Sequence, residues 1–107
     1  MSSSHTYYIG DTGKRFKFTV RDNITKELYN DLSAVNLYWN KGKGSSDIGP
    51  YPCTKVTDSE WVLPIDISYF TIVGLYNLWA LGTLVGSKIV TCDVEPPLLQ
   101  VKIRGKH

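Results

Sequence analysis

The run Gly74-Leu75-Tyr76-Asn77-Leu78-Trp79-Ala80-Leu81 is the most apolar stretch of the chain, and glycines at Gly74 and Gly82 fence it. Eight aromatic-rich residues make a strand's length, whereas a helix needs about ten to twelve. The run therefore predicts a central β-strand. Successive side chains of a strand point to opposite faces, which separates Tyr76, Leu78 and Ala80 from Leu75, Asn77, Trp79 and Leu81. The amide of Asn77 marks the second set as the wetter one. Trp79 is then predicted to point away from the core, where a large apolar ring stays exposed unless another surface covers it.

The same alternation recurs on either side of this run. Residues 6–9 predict a short edge strand, followed by the turn chemistry of Gly10-Asp11-Thr12-Gly13. Phe16, Phe18 and Val20 then alternate with Arg15, Lys17, Thr19 and Arg21 in the clearest half-buried strand of the chain. Residues 22–33 form a polar loop in which Leu32 is expected to plug the core edge. Val35, Leu37 and Trp39 face inward in a third strand, with Asn36, Tyr38 and Asn40 outward. The glycine-rich segment 41–50 is a connection to a strand at 51–56. Trp61, Leu63 and Ile65 make another inward set, on a strand that Pro64 deprives of an amide donor and so leaves with a free or bulged side. Residues 68–73 connect to the central strand with at most one helical turn, and residues 82–86 close a hairpin. Val90, Cys92 and Val94 face inward until Glu95-Pro96-Pro97 breaks the ladder. A last strand places Leu99, Val101 and Ile103 inward. The predicted core is Phe16, Phe18, Val35, Leu37, Trp39, Trp61, Leu63, Tyr76, Leu78, Val90, Val101 and Ile103.

At 107 residues, 42% of them hydrophobic, the chain suffices for one core and not for two. Seven to eight short antiparallel strands with no helical period predict an all-β fold, an immunoglobulin-like β-sandwich spanning residues 1–107 as a single domain. In that layout Gly74-x-Tyr76 sits where a tyrosine corner would begin the penultimate strand. Cys53 and Cys92 are not on the strands that carry the inter-sheet disulfide of antibody domains.

A net charge of +2, from 12 basic and 10 acidic residues, is too small and too scattered to predict a nucleic-acid partner. The start, Met1-Ser2-Ser3-Ser4-His5, carries no secretory signal, and no apolar run approaches the ~20 residues of a membrane span. Synthesis and retention in a cytosol, with both cysteines reduced, are expected.

Gly10-Asp11-Thr12-Gly13 before Phe16-x-Phe18-x-Val20, then Asp31-Leu32-Ser33-Ala34 before Val35, then Val73-Gly74-Leu75-Tyr76, resembles the N-terminal immunoglobulin-like domain of phage baseplate upper proteins and related tail proteins. The resemblance covers nearly the whole chain. It implies a virion structural part, made in the bacterial host cytoplasm, that docks a receptor-binding or fibre module onto the tail without catalysis. Its partners would be other phage structural proteins, in a symmetric homo-oligomer or another multi-copy arrangement. The family continues into longer proteins and its usual bulge is gentler than Glu95-Pro96-Pro97; a chain ending at His107 fits a small adaptor or a capsid decoration subunit.

Motifs for chemistry are weak. The two imidazoles, His5 and His107, lie near the chain ends, so nucleophile-base arrangements are disfavoured and no enzyme is expected. Cys53 and Cys92 lack zinc spacing, and the carboxylates Asp11, Asp66, Asp93 and Glu95 are spread one per turn or strand end. No metal and no cofactor are predicted. Gly42-Lys43-Gly44-Ser45 lacks phosphate-loop spacing and reads as a hairpin loop. Asn23-Ile24-Thr25 matches a glycosylation sequon in a chain without a secretory signal. Trp39 and Trp61 belong to inward sets, which leaves Trp79 as the functional candidate. If the third, central and following strands lie side by side, Tyr38, Asn77, Trp79 and Ile89 share one outer face with Asn36, and this face is the predicted protein interface. The competing reading is a stand-alone carbohydrate-binding or adhesion module. It would surround the aromatics with several amides and carboxylates, whereas assembly requires a flat apolar patch.

Overall fold

A computed structural model describes residues 4–42 and 46–103, and these contain strands and turns but no helix. The strands are β1 (Ser4–Tyr8), β2 (Arg15–Asp22), β3 (Ala34–Asn40), β4 (Ile48–Pro52), β5 (Thr54–Lys55), β6 (Glu60–Pro64), β7 (Gly74–Leu84) and β8 (Lys88–Lys102). They form one eight-stranded sheet in the order β4-β3-β7-β8-β2-β6-β5, with β1 added on β8. Only Cys53 separates β4, which pairs with β3, from β5, which pairs with β6. One extended segment thus joins the two ends of the path, and the amide of Cys53 donates to the carbonyl of Val35 at 2.9 Å as it crosses. The sheet curves into a near barrel.

The central strand is where the sequence places it, between β3 and β8, but it runs three residues past Leu81 to Leu84. Gly82 is not a fence. It lies inside the strand, where a Cβ would meet the Leu32 side chain at 2.8 Å and the Cys92 sulfur at 3.2 Å. Leu32 is buried as the expected plug, and glycine at 82 makes the room.

β8 is one strand of fifteen residues rather than two separated by a break. Between the rungs Asn77–Leu98 and Trp79–Asp93, β7 contributes only Leu78 while β8 contributes residues 94–97. Pro96 and Pro97 have no amide hydrogens for the ladder, so the excess bulges out and β7 pairs on either side of it. The bulge also switches which residues face inward, from Cys92 and Val94 before it to Leu99 and Val101 after it.

β1 corrects the all-antiparallel expectation, because it pairs parallel to the second half of β8. β2 runs antiparallel to the first half of β8, and residues 9–14 reverse the chain between β1 and β2. A strand that enters this turn to reach β2 must run parallel to β8. Gly10 and Gly13 supply the positive φ angles the turn uses, 92° and 73°. On β6, β5 pairs only with Trp61 and Val62, so Pro64 has no strand neighbour on the side away from β2.

The core is one cluster that includes ten of the twelve predicted residues; Val90 is half-buried against it and Ile103 is 70% exposed. Ile103 fails because the last rungs are Gly74–Val101 and Tyr8–Lys102, leaving nothing to cover a residue beyond them. The sequence reading omits Tyr7 and Phe70 from the core. Phe70 enters it from a turn at residues 67–69, in place of the allowed helical turn. There it packs on Trp39, Tyr76 and Tyr7 with ring centroids 4.5, 5.2 and 5.9 Å away. Tyr76 donates its hydroxyl to the Ile72 carbonyl at 2.8 Å, the bond expected of a tyrosine corner.

Candidate protein interface

β3, β7 and the first half of β8 lie side by side, so their outward residues fall into cross-strand rungs: Asn40–Asn77, Tyr38–Trp79–Asp93, Asn36–Leu81–Thr91 and Ala34–Thr83–Ile89. Tyr38 and Trp79 are direct neighbours, stacked with centroids 4.4 Å apart and planes 10° from parallel. That separation is close to the ~4.8 Å spacing of adjacent strands, so the rings stand upright on the sheet with their edges outward. Each half-covers the other, and both are intermediate in exposure rather than open to solvent.

Gly49 of β4 supports the outer side of this stack. A Cβ there would meet the Tyr38 ring at 2.7 Å and the Leu37 carbonyl oxygen at 2.9 Å, and its φ of 145° is one that side chains rarely adopt. The amides are tied to one another: Asn77 donates to the Asn40 side-chain oxygen at 3.3 Å, Asn40 donates to Asp47 at 2.7 Å, and the Gly42 amide donates to Asn40 at 3.0 Å. Residues 43–45 of the predicted hairpin loop lie outside the described residues.

Three of the four predicted interface residues thus come together. Ile89 shares their face but not their neighbourhood: its rung partner is Thr83, while Trp79 faces Asp93, four residues along β8 and about 13 Å away at ~3.3 Å per residue. The sequence reading lacked the cross-strand register, and with it Asp93. Gly49 was legible only as part of a glycine-rich connection.

Beside Asp93 the surface becomes ionic. A cleft of about 470 Å³ opens at the β8 bulge, lined by Arg21, Lys26, Leu78, Asp93, Val94, Glu95 and Pro97. Arg21 pairs with Glu95 at 2.9 Å and Lys26 with Asp93 at 2.6 Å, so the charges lining it largely satisfy one another.

The groups that might carry covalent chemistry are poorly set for it. Burial pushes the Cys53 thiol up to about 12 and the Cys92 thiol up to about 11, so neither is a thiolate near neutral pH. Both are free thiols. His5 stands edge-on to Phe16 at 4.7 Å, and partial burial lowers its pKa. Among the described residues no group of three or more His, Cys, Asp or Glu side chains is placed to hold a metal ion. Nor is there among the described residues a helix long and apolar enough to cross a membrane. Compared with known proteins, the chain matches no family model, no curated protein and no solved structure.

Proposed function

We propose that the protein is a non-enzymatic structural component of a bacteriophage virion, a tail, baseplate or fibre-attachment adaptor that works through protein-protein contacts. The observation that carries the contact role is the outer face around Tyr38 and Trp79: a stacked aromatic pair lined by the amides of Asn40 and Asn77, with Asp93 on the same rung held by Lys26. Covering its aromatic part removes apolar area from water, as the core of an interface does. The upright stack favours this over a sugar platform, because sugars pack on ring faces and these rings turn their faces to each other.

The proposed fold is the immunoglobulin-like sandwich. Its support is the tyrosine-corner bond of Tyr76 and a first strand parallel to the last. The phage setting rests on the resemblance of the Gly10, Asp31 and Val73 motifs, and the virion is the proposed location. The test is incorporation. Trp79→Ser combined with Tyr38→Ser should give a folded protein that fails to enter particles. Normal incorporation of that folded variant would move the docking surface elsewhere, with the edge at Pro64 the next to examine.

A further inference from the structure

The free edge of a sheet presents unpaired backbone groups, and this sheet ends at β4, β5 and β1. β4 carries Pro50 and Pro52, which have no amide hydrogen to offer, and β5 is two residues long. β1 differs: Ser4-His5-Thr6-Tyr7-Tyr8 contains no proline, lysine or carboxylate, and it pairs only with β8. Parallel pairing uses alternate residues of a strand. The Ile9 amide donates to the Lys102 carbonyl at 2.9 Å, so residues 5, 7 and 9 direct their backbone groups at β8, while Thr6 and Tyr8 direct theirs away from it. The Asp11 amide takes up the Tyr8 carbonyl at 3.1 Å. The Thr6 amide and carbonyl and the Tyr8 amide have no backbone partner among the described residues. They open on a cleft of about 240 Å³ between β1 and Asp11, Lys14, Arg15 and Ile65. β2 meets β8 only from Thr19 onward, which leaves residues 15–18 with β6 on one side and no strand on the other. The charge at this edge is one-sided. Lys14, Arg15 and Lys102, the rung partner of Tyr8, have no ion-pair partner among the described residues. Asp11 is the one carboxylate lining the cleft, and it is buried; Asp66, one residue beyond Ile65, is held by Ser68.

We propose that β1 accepts an extended, acidic segment of a partner protein as an added strand. The unpaired groups of Thr6 and Tyr8 specify a backbone in β conformation, since only another strand offers donors and acceptors at that spacing. The cations beside them specify its sign: carboxylates on the added strand meet Lys14 and Arg15, which have no other anion to pair with. A second copy fits less well, because pairing two β1 edges puts the Lys14 and Arg15 of both copies on one interface. The chain's own end, Arg104-Gly105-Lys106-His107, carries the same sign as the cleft. This edge is three strands away from Tyr38 in the sheet order, so it is a docking site additional to the outer face and does not depend on it.

Fluorescence anisotropy tests this on the purified protein with a labelled peptide of alternating valine and glutamate, long enough to span β1. It should bind with a Kd of about 100 µM or tighter at low salt, and the same peptide with lysine in place of glutamate should bind at least about tenfold more weakly. Thr6→Pro should abolish binding while leaving the protein folded, because the amide it removes is not part of the β8 ladder. Should Thr6→Pro fail to fold, Lys14→Glu carries the test, since the Lys14 carbonyl keeps its 2.8 Å bond from the Ile65 amide whatever the side chain. That variant should narrow the difference between the two peptides by about tenfold. No binding at about 1 mM acidic peptide overturns the proposal. So does binding that survives Thr6→Pro in a folded protein, or binding shared equally by the lysine peptide. Self-association that Thr6→Pro abolishes would give the edge to a second copy and overturn the acidic partner. Tyr38→Ser with Trp79→Ser should leave peptide binding unchanged, so failure at this edge and failure of the outer face give different results.

Discussion

Outward along β7 stand Leu75, Asn77, Trp79, Leu81 and Thr83; outward along β2 stand Arg15, Lys17, Thr19 and Arg21. The inward residues of the two strands are alike, with Tyr76, Leu78 and Ala80 on one and Phe16, Phe18 and Val20 on the other, all buried in one cluster. The shared core fixes the alternation of both strands and leaves the outward sets unconstrained. On β2 that freedom goes to cations, of which Glu95 pairs Arg21 while Arg15 and Lys17 have no ion-pair partner among the described residues. Covering those cations would cost their hydration, so the β2 face stays wet. The β7 face loses little when covered. A difference in outward residues alone thus separates an aromatic, amide-lined face from a cationic one.

The largest effect should come from beneath the faces. Trp39 neighbours Tyr38 in sequence but points inward, fully buried, with Tyr51 stacked on it at 4.5 Å and 3°. Trp39→Ala should cost on the order of 3 to 5 kcal/mol by chemical denaturation. An unchanged midpoint would mean the inward and outward sets of β3 are misassigned, and the comparison of faces would fall with them.

Next in size is Gly49→Ala. The added methyl meets both a ring and a backbone carbonyl, at an unfavourable φ. A loss of about 2 kcal/mol or more is expected from strain and overpacking. Tyr38→Ser together with Gly49→Ala should recover part of it by removing the ring, and no recovery would show that the backbone alone sets the cost.

Smaller again is the direct contrast between faces. Removing the Tyr38–Trp79 stack with two serines should cost roughly 1 to 3 kcal/mol, since a stacked pair is worth ~0.5 to 1.5 beyond its buried area. Arg15→Ser with Lys17→Ser should stay within about 0.5 kcal/mol, as exposed residues usually do. Only the first pair should change particle entry. Loss of particle entry in the Arg15 and Lys17 variant would reverse the assignment of the docking face.

Most of this contrast was legible in the sequence because it follows from period two. The outward placement of Trp79, Tyr38 and Asn77, the inward Trp39 and Trp61, and the plug at Leu32 all come from alternation and turn chemistry. What escaped depends on pairing between distant segments. Ile89 could be put on the right face but not on the right rung, because rungs are set by where the hairpin turns. Asp93 became a neighbour of Trp79 only through that register. Phe70 and Tyr7 lie in short segments with no period to read, and Gly82 looked like a boundary because nothing local reveals that Leu32 needs its space. The parallel pairing of β1 was likewise invisible, since one strand's sequence does not state its partner's direction.

The smallest expected effect is a pH response that belongs to the charged side. At the end of β2 the Asp22 carboxylate accepts the amides of Ile24 and Thr25 at 2.7 and 3.0 Å and the Tyr29 hydroxyl at 2.8 Å. The two amides, then the hydroxyl, stabilise the ionised form and hold its pKa below the ordinary carboxylate value. The unfolded chain therefore takes up the proton first as pH falls, so the stabilisation is present above the unfolded pKa and is lost as pH drops through the folded one. Asp66 acts in the same window through the amide and hydroxyl of Ser68. Stability should decline as pH falls below about 4, the ordinary aspartate value, less steeply in Asp22→Asn and least when Asp66→Asn is added. At the alkaline end the sign reverses. Desolvation, and then the bond to Asp22, push the Tyr29 hydroxyl up to about 12, so its contribution is complete below pH 10 and is lost toward 12. Tyr29→Phe should weaken that limb without abolishing it, because burial also raises Cys53, Cys92, Tyr69 and Tyr76. Trp79→Ser should leave both limbs as they are, because the Lys26–Asp93 ion pair on its rung is exposed and worth little. A changed acid limb in Trp79→Ser would show that the two faces are electrostatically coupled through the β8 bulge.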